Sequence, residues 1–211
     1  MHKHWIKVCG ITRAEDAIAA SDLGADAIGL VFYPPSPRSI VMADVPEIVD
    51  GVSANVSVVA LFVDPTADEV NEVLDSGHID LLQFHGSESE EFCCSFDIPY
   101  MKAFRVGLDA DLDKAIEAYP SAELILLDSY VKAAPGGTGH SFDWKKTSEI
   151  SDSSLSKLVL AGGLSPDNIA KAIAAVQPFG VDVSSGVESS PGIKDRALIN
   201  KFIEGVRSVS S

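Results

Sequence analysis

Basic residues are scarce in this chain: 16 Lys and Arg stand against 31 Asp and Glu, a formal charge of −15 over 211 residues. A protein that wraps nucleic acid or lies on an anionic membrane needs a basic face, so neither partner is expected. A small anionic ligand stays open, because backbone N–H groups and helix N-termini hold anions without net positive charge. Long apolar runs are missing too. The longest, Val58 to Val63, is far too short to span a bilayer. The start, Met1-His2-Lys3-His4-Trp5-Ile6, lacks the apolar segment and small-residue cleavage site of a signal peptide, and a cytoplasmic protein is expected. Cysteine is limited to Cys9, Cys93 and Cys94, the last two adjacent on an expected helix, so no framework of paired thiols suggests itself. No His/Cys/Asp/Glu cluster with metal-ligand spacing occurs. Linker-like and low-complexity segments are absent, which points to one domain over residues 1–211; only Ser151-Asp152-Ser153-Ser154 and the last serines look loose.

What remains is a chain with 46% hydrophobic and 22% charged residues, enough to bury one large core. Short β-branched or aliphatic runs recur, each followed by a turn signal and a segment of helical periodicity, the pattern of repeated βα units. Eight strands are expected: Ile6–Cys9, Ala27–Phe32, Val58–Val63, Leu81–Phe84, Met101–Arg105, Leu124–Asp128, Leu158–Ala161 and Val181–Ser184. Most are apolar on both faces, as in a parallel sheet covered outside and packed within. Helices are expected over Ala14–Leu23, behind a capping Thr66 as far as Leu74, from Ser165-Pro166 through Val176, and over Asp195–Val206. The short, even repeat, and the lack of a Gly-x-Gly-x-x-Gly turn after the first strand, favour a closed α/β barrel of the (β/α)8 type, the TIM barrel, over an open doubly wound sheet.

In such a barrel the functional groups sit where strands end. Cys9 ends the first strand: it reads either as a small buried hydrophobe or as a thiol that acts as base or nucleophile. Asp128 follows Leu124-Ile125-Leu126-Leu127, either as a loop anchor or as an acid kept protonated by apolar surroundings. Gln83-Phe84-His85-Gly86 ends the fourth strand, where His85 could be a base, a ligand donor or a satisfied rim histidine. Gly162-Gly163 and Ser184-Ser185-Gly186 supply donor-rich backbone after strands seven and eight, where barrels hold phosphate, although a glycine pair also makes a plain tight turn. Arg38, in a proline-stiffened loop, could clamp a carboxylate or simply be solvated. Gly136-Gly137-Thr138-Gly139 suits a loop that closes over a ligand.

In order along the chain, these segments resemble the phosphoribosylanthranilate isomerase family. Lys7-Val8-Cys9-Gly10-Ile11-Thr12 is similar to the motif carrying the family's cysteine general base, and Leu126-Leu127-Asp128 to the motif bearing its aspartate general acid. Ser36-Pro37-Arg38 corresponds to the loop whose arginine approaches the anthranilate carboxylate. Gln83-Phe84-His85-Gly86 matches the family's Gln-Leu-His-Gly with Phe84 in place of Leu, an exchange expected to adjust the fit of the aromatic ring. Gly137-Thr138-Gly139, Ala161-Gly162-Gly163-Leu164, Val183-Ser184-Ser185-Gly186-Val187-Glu188 and Pro191-Gly192-Ile193-Lys194-Asp195 complete the likeness.

The resemblance implies an Amadori rearrangement of a phosphorylated sugar–anthranilate in tryptophan biosynthesis, with no cofactor. It makes Cys9 and Asp128 the catalytic pair, Arg38, Gln83, His85, Gly137, Gly139 and Asp182 substrate-binding, and Gly162, Gly163, Ser184, Ser185 and Gly186 phosphate-binding. Another phosphate-binding barrel enzyme and a barrel that only binds a phosphometabolite are the competing readings, and monomer and homodimer are both open. With no metal ligands in the implied set, dialysis against EDTA is expected to leave turnover unchanged, whereas loss restored by a divalent ion would show a metal requirement.

Overall fold

The computed structural model describes residues 4–105, 112–128, 151 and 155–209. Eight parallel strands close on themselves in chain order: β1 Trp5–Cys9, β2 Ala27–Val31, β3 Ser57–Phe62, β4 Leu81–Phe84, β5 Tyr100–Arg105, β6 Leu124–Asp128, β7 Leu158–Ala161 and β8 Gly180–Val183. Each agrees with its sequence expectation to within a residue or so at either end. Closure is made by β1 against β8, with Trp5, Ile6, Lys7 and Val8 opposite Gly180, Val181, Asp182 and Val183.

Successive side chains on a strand leave opposite faces, so a closed barrel sorts them into an inner and an outer set. Ile6, Val8, Ile28, Leu30, Leu82, Phe84, Ile125, Leu127, Leu158, Leu160, Val181 and Val183 face outward and pack under the helices. Ala27, Val59, Leu81, Met101, Ala103, Leu124, Leu126, Val159 and Ala161 fill the interior, and Trp5 plugs its lower end. Above them Cys9, Val31 and Leu61 form a separate small cluster at the C-terminal ends of the strands.

The outer helices follow local signals. Ala67–Leu74 begins with a capping box, in which Glu69 N donates to Thr66 Oγ1 at 3.3 Å and Thr66 N to Glu69 Oε2 at 2.7 Å. Arg196–Ser208 is capped by Asp195 Oδ1, which accepts from Ala197 N and Leu198 N. The helix after β7 departs from expectation: it spans Ile169–Val176, with Asn168 rather than Ser165 at its N-cap. Asn168 is the reason, since its Oδ1 accepts from Ser165 N and its Nδ2 donates to Gly163 O, both at 2.8 Å, which winds Ser165–Asn168 into a turn.

Phe84 also corrects an expectation. Because Gln83 points into the barrel, Phe84 must point out, where its ring meets Phe62, Phe92, Phe96 and Tyr100 at centroid distances of 5.7–6.4 Å. It cannot shape the fit of anything bound at the strand ends. Phe84→Ala is expected to destabilise the fold by about 3–5 kcal/mol in urea unfolding; a change below about 1 kcal/mol would show that the aromatic cluster repacks freely.

Candidate active site

A cavity of about 590 Å³ opens at the C-terminal ends of the strands. Every strand contributes inward side chains at or next to its end: Cys9, Val31, Leu61, Gln83, Arg105, Asp128, Ala161 and Asp182 all line it. The loops after β2, β4, β7 and β8 add Tyr33, Ser36, Arg38, His85, Gly162, Gly163, Leu164, Ser184 and Ser185. The cavity therefore gathers most of the residues singled out from the sequence. Gly137 and Gly139 lie outside the described residues.

Cys9 is buried, its sulfur packed over Gly29 of β2, where an added Cβ would come within 2.7 Å of it. Burial pushes its thiol up and Asp182 adds to that, while the charges of Lys7 and Lys194 pull it down without overcoming the rise. Asp128 stands three strands away around the ring, with its Oδ2 at 3.4 Å from His85 Nε2. Gln83 Nε2 lies 3.2 Å from His85 Nδ1. With the amide donating there, the ring proton sits on Nε2 and points at the Asp128 carboxyl.

The loop carrying His85 is held from behind. Lys102, on the outer face of β5, donates to Gly86 O at 2.8 Å and to Glu88 Oε2 at 2.6 Å. Glu88 in turn accepts from Asp64 N and Gly86 N at 2.8 and 3.0 Å. A buried pair so fully hydrogen-bonded fixes a loop more than it stabilises a fold.

Arg38 crosses directly above Gly10, whose φ of 76° and missing Cβ are both needed, since a side chain there would overlap Arg38 Cδ. Its Nε and Nη2 donate to Glu188 Oε1 and Oε2, each at 2.7 Å, leaving Nη1 outside that fork. Lys194 Nζ donates to Glu188 Oε1 at 2.8 Å and to Ser184 O at 3.3 Å. Burial pushes the Glu188 carboxyl up, but the hydrogen bonds from Arg38 and Lys194 outweigh it and hold the group below the usual glutamate range. Gly162 and Gly163, with φ of 85° and 65°, turn the β7 loop against the cavity beside Ser184 and Ser185. Gly186 does not line the cavity. A Cβ there would overlap Leu164 O, so this glycine lets the β7 and β8 loops approach each other. Among the described residues, no group of three or more His, Cys, Asp or Glu could hold a metal ion, and no helix is long and apolar enough to cross a membrane.

Residues 6–205 match the family model for N-(5'-phosphoribosyl)anthranilate isomerase. The chain belongs to that family. The N-(5'-phosphoribosyl)anthranilate isomerase of Pseudomonas fluorescens Pf0-1 is 50% identical over 202 residues, covering 95% of this chain and 97% of the relative. The crystal structure of phosphoribosyl anthranilate isomerase from Thermotoga maritima superposes with a TM-score of 0.86 at 37% identity, covering 97% of this chain and 99% of that one. A crystal structure of a phosphoribosyl anthranilate isomerase in complex with reduced 1-(o-carboxyphenylamino)-1-deoxyribulose 5-phosphate superposes with a TM-score of 0.83 at 36% identity over the same shares.

Two features of this site have no local signature in the sequence. Glu188 and Lys194 stand in the sequence only as letters of the family motif, and the pairing of Glu188 with Arg38 spans 150 positions, which no local pattern reveals. Arg105 reads in the sequence only as the polar end of a strand; the inward parity of β5 is what turns it into the cavity.

The depressed Glu188 carboxyl has a signed consequence. Its contribution to stability is fully present above the ordinary glutamate pKa of about 4.3 and is lost as pH falls through the lower folded-state value. Glu188→Gln is expected to remove that contribution, so the variant's urea midpoint should fall less steeply than the parent's on acidification below about pH 4.5. Parallel declines would show that this carboxylate carries none of the acid sensitivity.

Proposed function

We propose that this barrel, with residues 1–211 acting as one domain, isomerises N-(5'-phosphoribosyl)anthranilate by an Amadori rearrangement, a step of tryptophan biosynthesis. The observation that carries the reading is that Cys9 of β1 and Asp128 of β6 face one cavity whose β7–β8 rim is built of glycine and serine backbone. Phosphate rests on Gly162, Gly163, Ser184 and Ser185, whose N–H groups suit an anion. The anthranilate carboxylate meets Arg38, which Glu188 holds in place while its Nη1 edge stays available. Val31, Tyr33, Leu61 and Val63 give the same wall an apolar face for the ring.

In this scheme Asp128 starts protonated and donates to the ribose ring oxygen as the anthranilate nitrogen lone pair opens the ring to an iminium ion. His85, with its Nε2–H aimed at Asp128, stabilises the carboxylate left behind. The Cys9 thiolate takes the proton from the neighbouring carbon, and the enolamine so formed collapses to the aminoketone. One group gives a proton and the other takes one, so the substrate is isomerised without oxidant or reductant, and solvent restores both protonation states. No nucleic-acid partner enters this reading, and the net charge of −15 is consistent with that.

Turnover is read by the loss of anthranilate-type fluorescence. Cys9→Ala and Asp128→Asn are each expected to lower kcat by about 10²-fold or more, with the affinity for inorganic phosphate little changed. Near-normal turnover in either variant removes that residue from the scheme, and unchanged fluorescence with the parent protein would mark a barrel that only binds.

A further inference from the structure

Lys7 has a fully buried side chain inside the barrel, one layer below the cavity. Interior ammonium groups are costly to desolvate, and an apolar side chain of similar length would pack there more cheaply. Its neighbours suggest what the charge is for. On β1, Lys7 and Cys9 are two residues apart and share the inward face. From β8, Asp182 Oδ2 approaches Lys7 Nζ at 2.9 Å. From β2, Gly29 leaves open a space where a Cβ would lie 2.7 Å from Cys9 Sγ and 3.1 Å from Lys7 Cε, so the sulfur and the end of the lysine stem share the room above one glycine. The ammonium, with three donors, is paired with the Asp182 carboxylate and faces the Cys9 sulfur.

We propose that Lys7 is a positioning residue whose buried ammonium stabilises the thiolate of Cys9, with Asp182 holding the lysine in place and sharing its charge. This rests on the reading of Cys9 as the base. The other charges facing Cys9 are Lys194 from the strand Ile193–Lys194 and Arg38 from the loop after β2, while His85, Arg105 and Asp128 stand across the cavity. β2 itself offers only Gly29 at this level. Lys194 and Arg38 are already tied to Glu188, whereas Lys7 is flanked by one carboxylate and the thiol. Burial is the main influence raising the thiol, and the Lys7 charge is the largest one opposing it. Lys7 itself is pulled down by burial but raised further by Asp182 and Cys9, so it keeps its proton.

The test reads the thiol directly, in a Cys94→Ser background that removes the exposed cysteine; Cys93, buried and pushed up to about 12, stays silent. The rate of alkylation by iodoacetamide, an uncharged probe of the thiolate, is followed against pH, alongside the pH profile of kcat/KM. Lys7→Met is expected to move the Cys9 midpoint to higher pH and slow alkylation near neutrality by about tenfold or more. Lys7→Arg should restore much of the rate. Asp182→Asn, which leaves the lysine charge undivided, should move the midpoint the other way. An unchanged midpoint in folded Lys7→Met, or displacement of both variants in the same direction, overturns the proposal. If Lys7→Met fails to fold by circular dichroism, the same midpoint is read in Lys7→Gln, which removes the charge and keeps a polar side chain beside Asp182; an unchanged midpoint there overturns the proposal. The alkylation arm does not depend on Cys9 being the base: active Cys9→Ala with a displaced midpoint would sink the catalytic scheme and keep the Lys7–Cys9 coupling.

Discussion

Closure of the sheet between β1 and β8 is the constraint on which the rest of the molecule depends. It sets Lys7 opposite Asp182 and brings the loop after β8 over Gly10. Once that register is fixed, the two-residue alternation of each strand decides which side chains can meet. Cys9, Gln83, Asp128 and Asp182 share one compartment because each occupies an inward position near the end of its strand. A slip of one residue in any of these strands would exchange the chemical group for its aliphatic neighbour.

The barrel was legible in the sequence because its strands are apolar on both faces and its helices carry their own caps. Thr66 caps its helix as its position suggests, and Asp195, expected within the last helix, stands just before it as its cap. The helix after β7 starts three residues later than the local pattern suggests, since Ser165-Pro166 has the form of a helix start while Asn168 uses its side chain to make a turn there instead. Most of the candidate site was legible too, because polar residues that end apolar strands have few structural reasons to be there. Strand parity decides the direction of Phe84, which no local pattern gives: its neighbour Gln83 takes the inward position. The Arg38–Glu188–Lys194 lock has no local signature because Arg38 lies 150 positions from the paired short strands that carry Glu188 and Lys194.

Two kinds of buried charge recur around the cavity and differ in how they are satisfied. Glu88 with Lys102 is saturated by backbone donors and acceptors, and it fastens the loop that carries His85. Glu188 is likewise shared between two cations and keeps Arg38 in a single posture. Lys7 and Asp182 are less completely partnered: they pair through Asp182 Oδ2 at 2.9 Å, and Asp182 Oδ1 makes no hydrogen bond among the described residues. Saturated pairs act as scaffolding, while an incompletely answered one retains electrostatic influence over what lies next to it.

The division of the apolar residues into an outer shell and an inner stack bears on how such an enzyme changes over evolutionary time. Ile125 and Leu127 belong to one and Leu126 to the other, so neighbours in the chain answer to different packing environments. Substitutions that retune the upper ring, for a new sugar or a new ring substituent, need not disturb the apolar jacket, and apolar drift in the jacket away from Lys102 and Glu88 need not move the ring. Selection for catalysis and selection for persistence can then proceed on alternate letters of the same short segments.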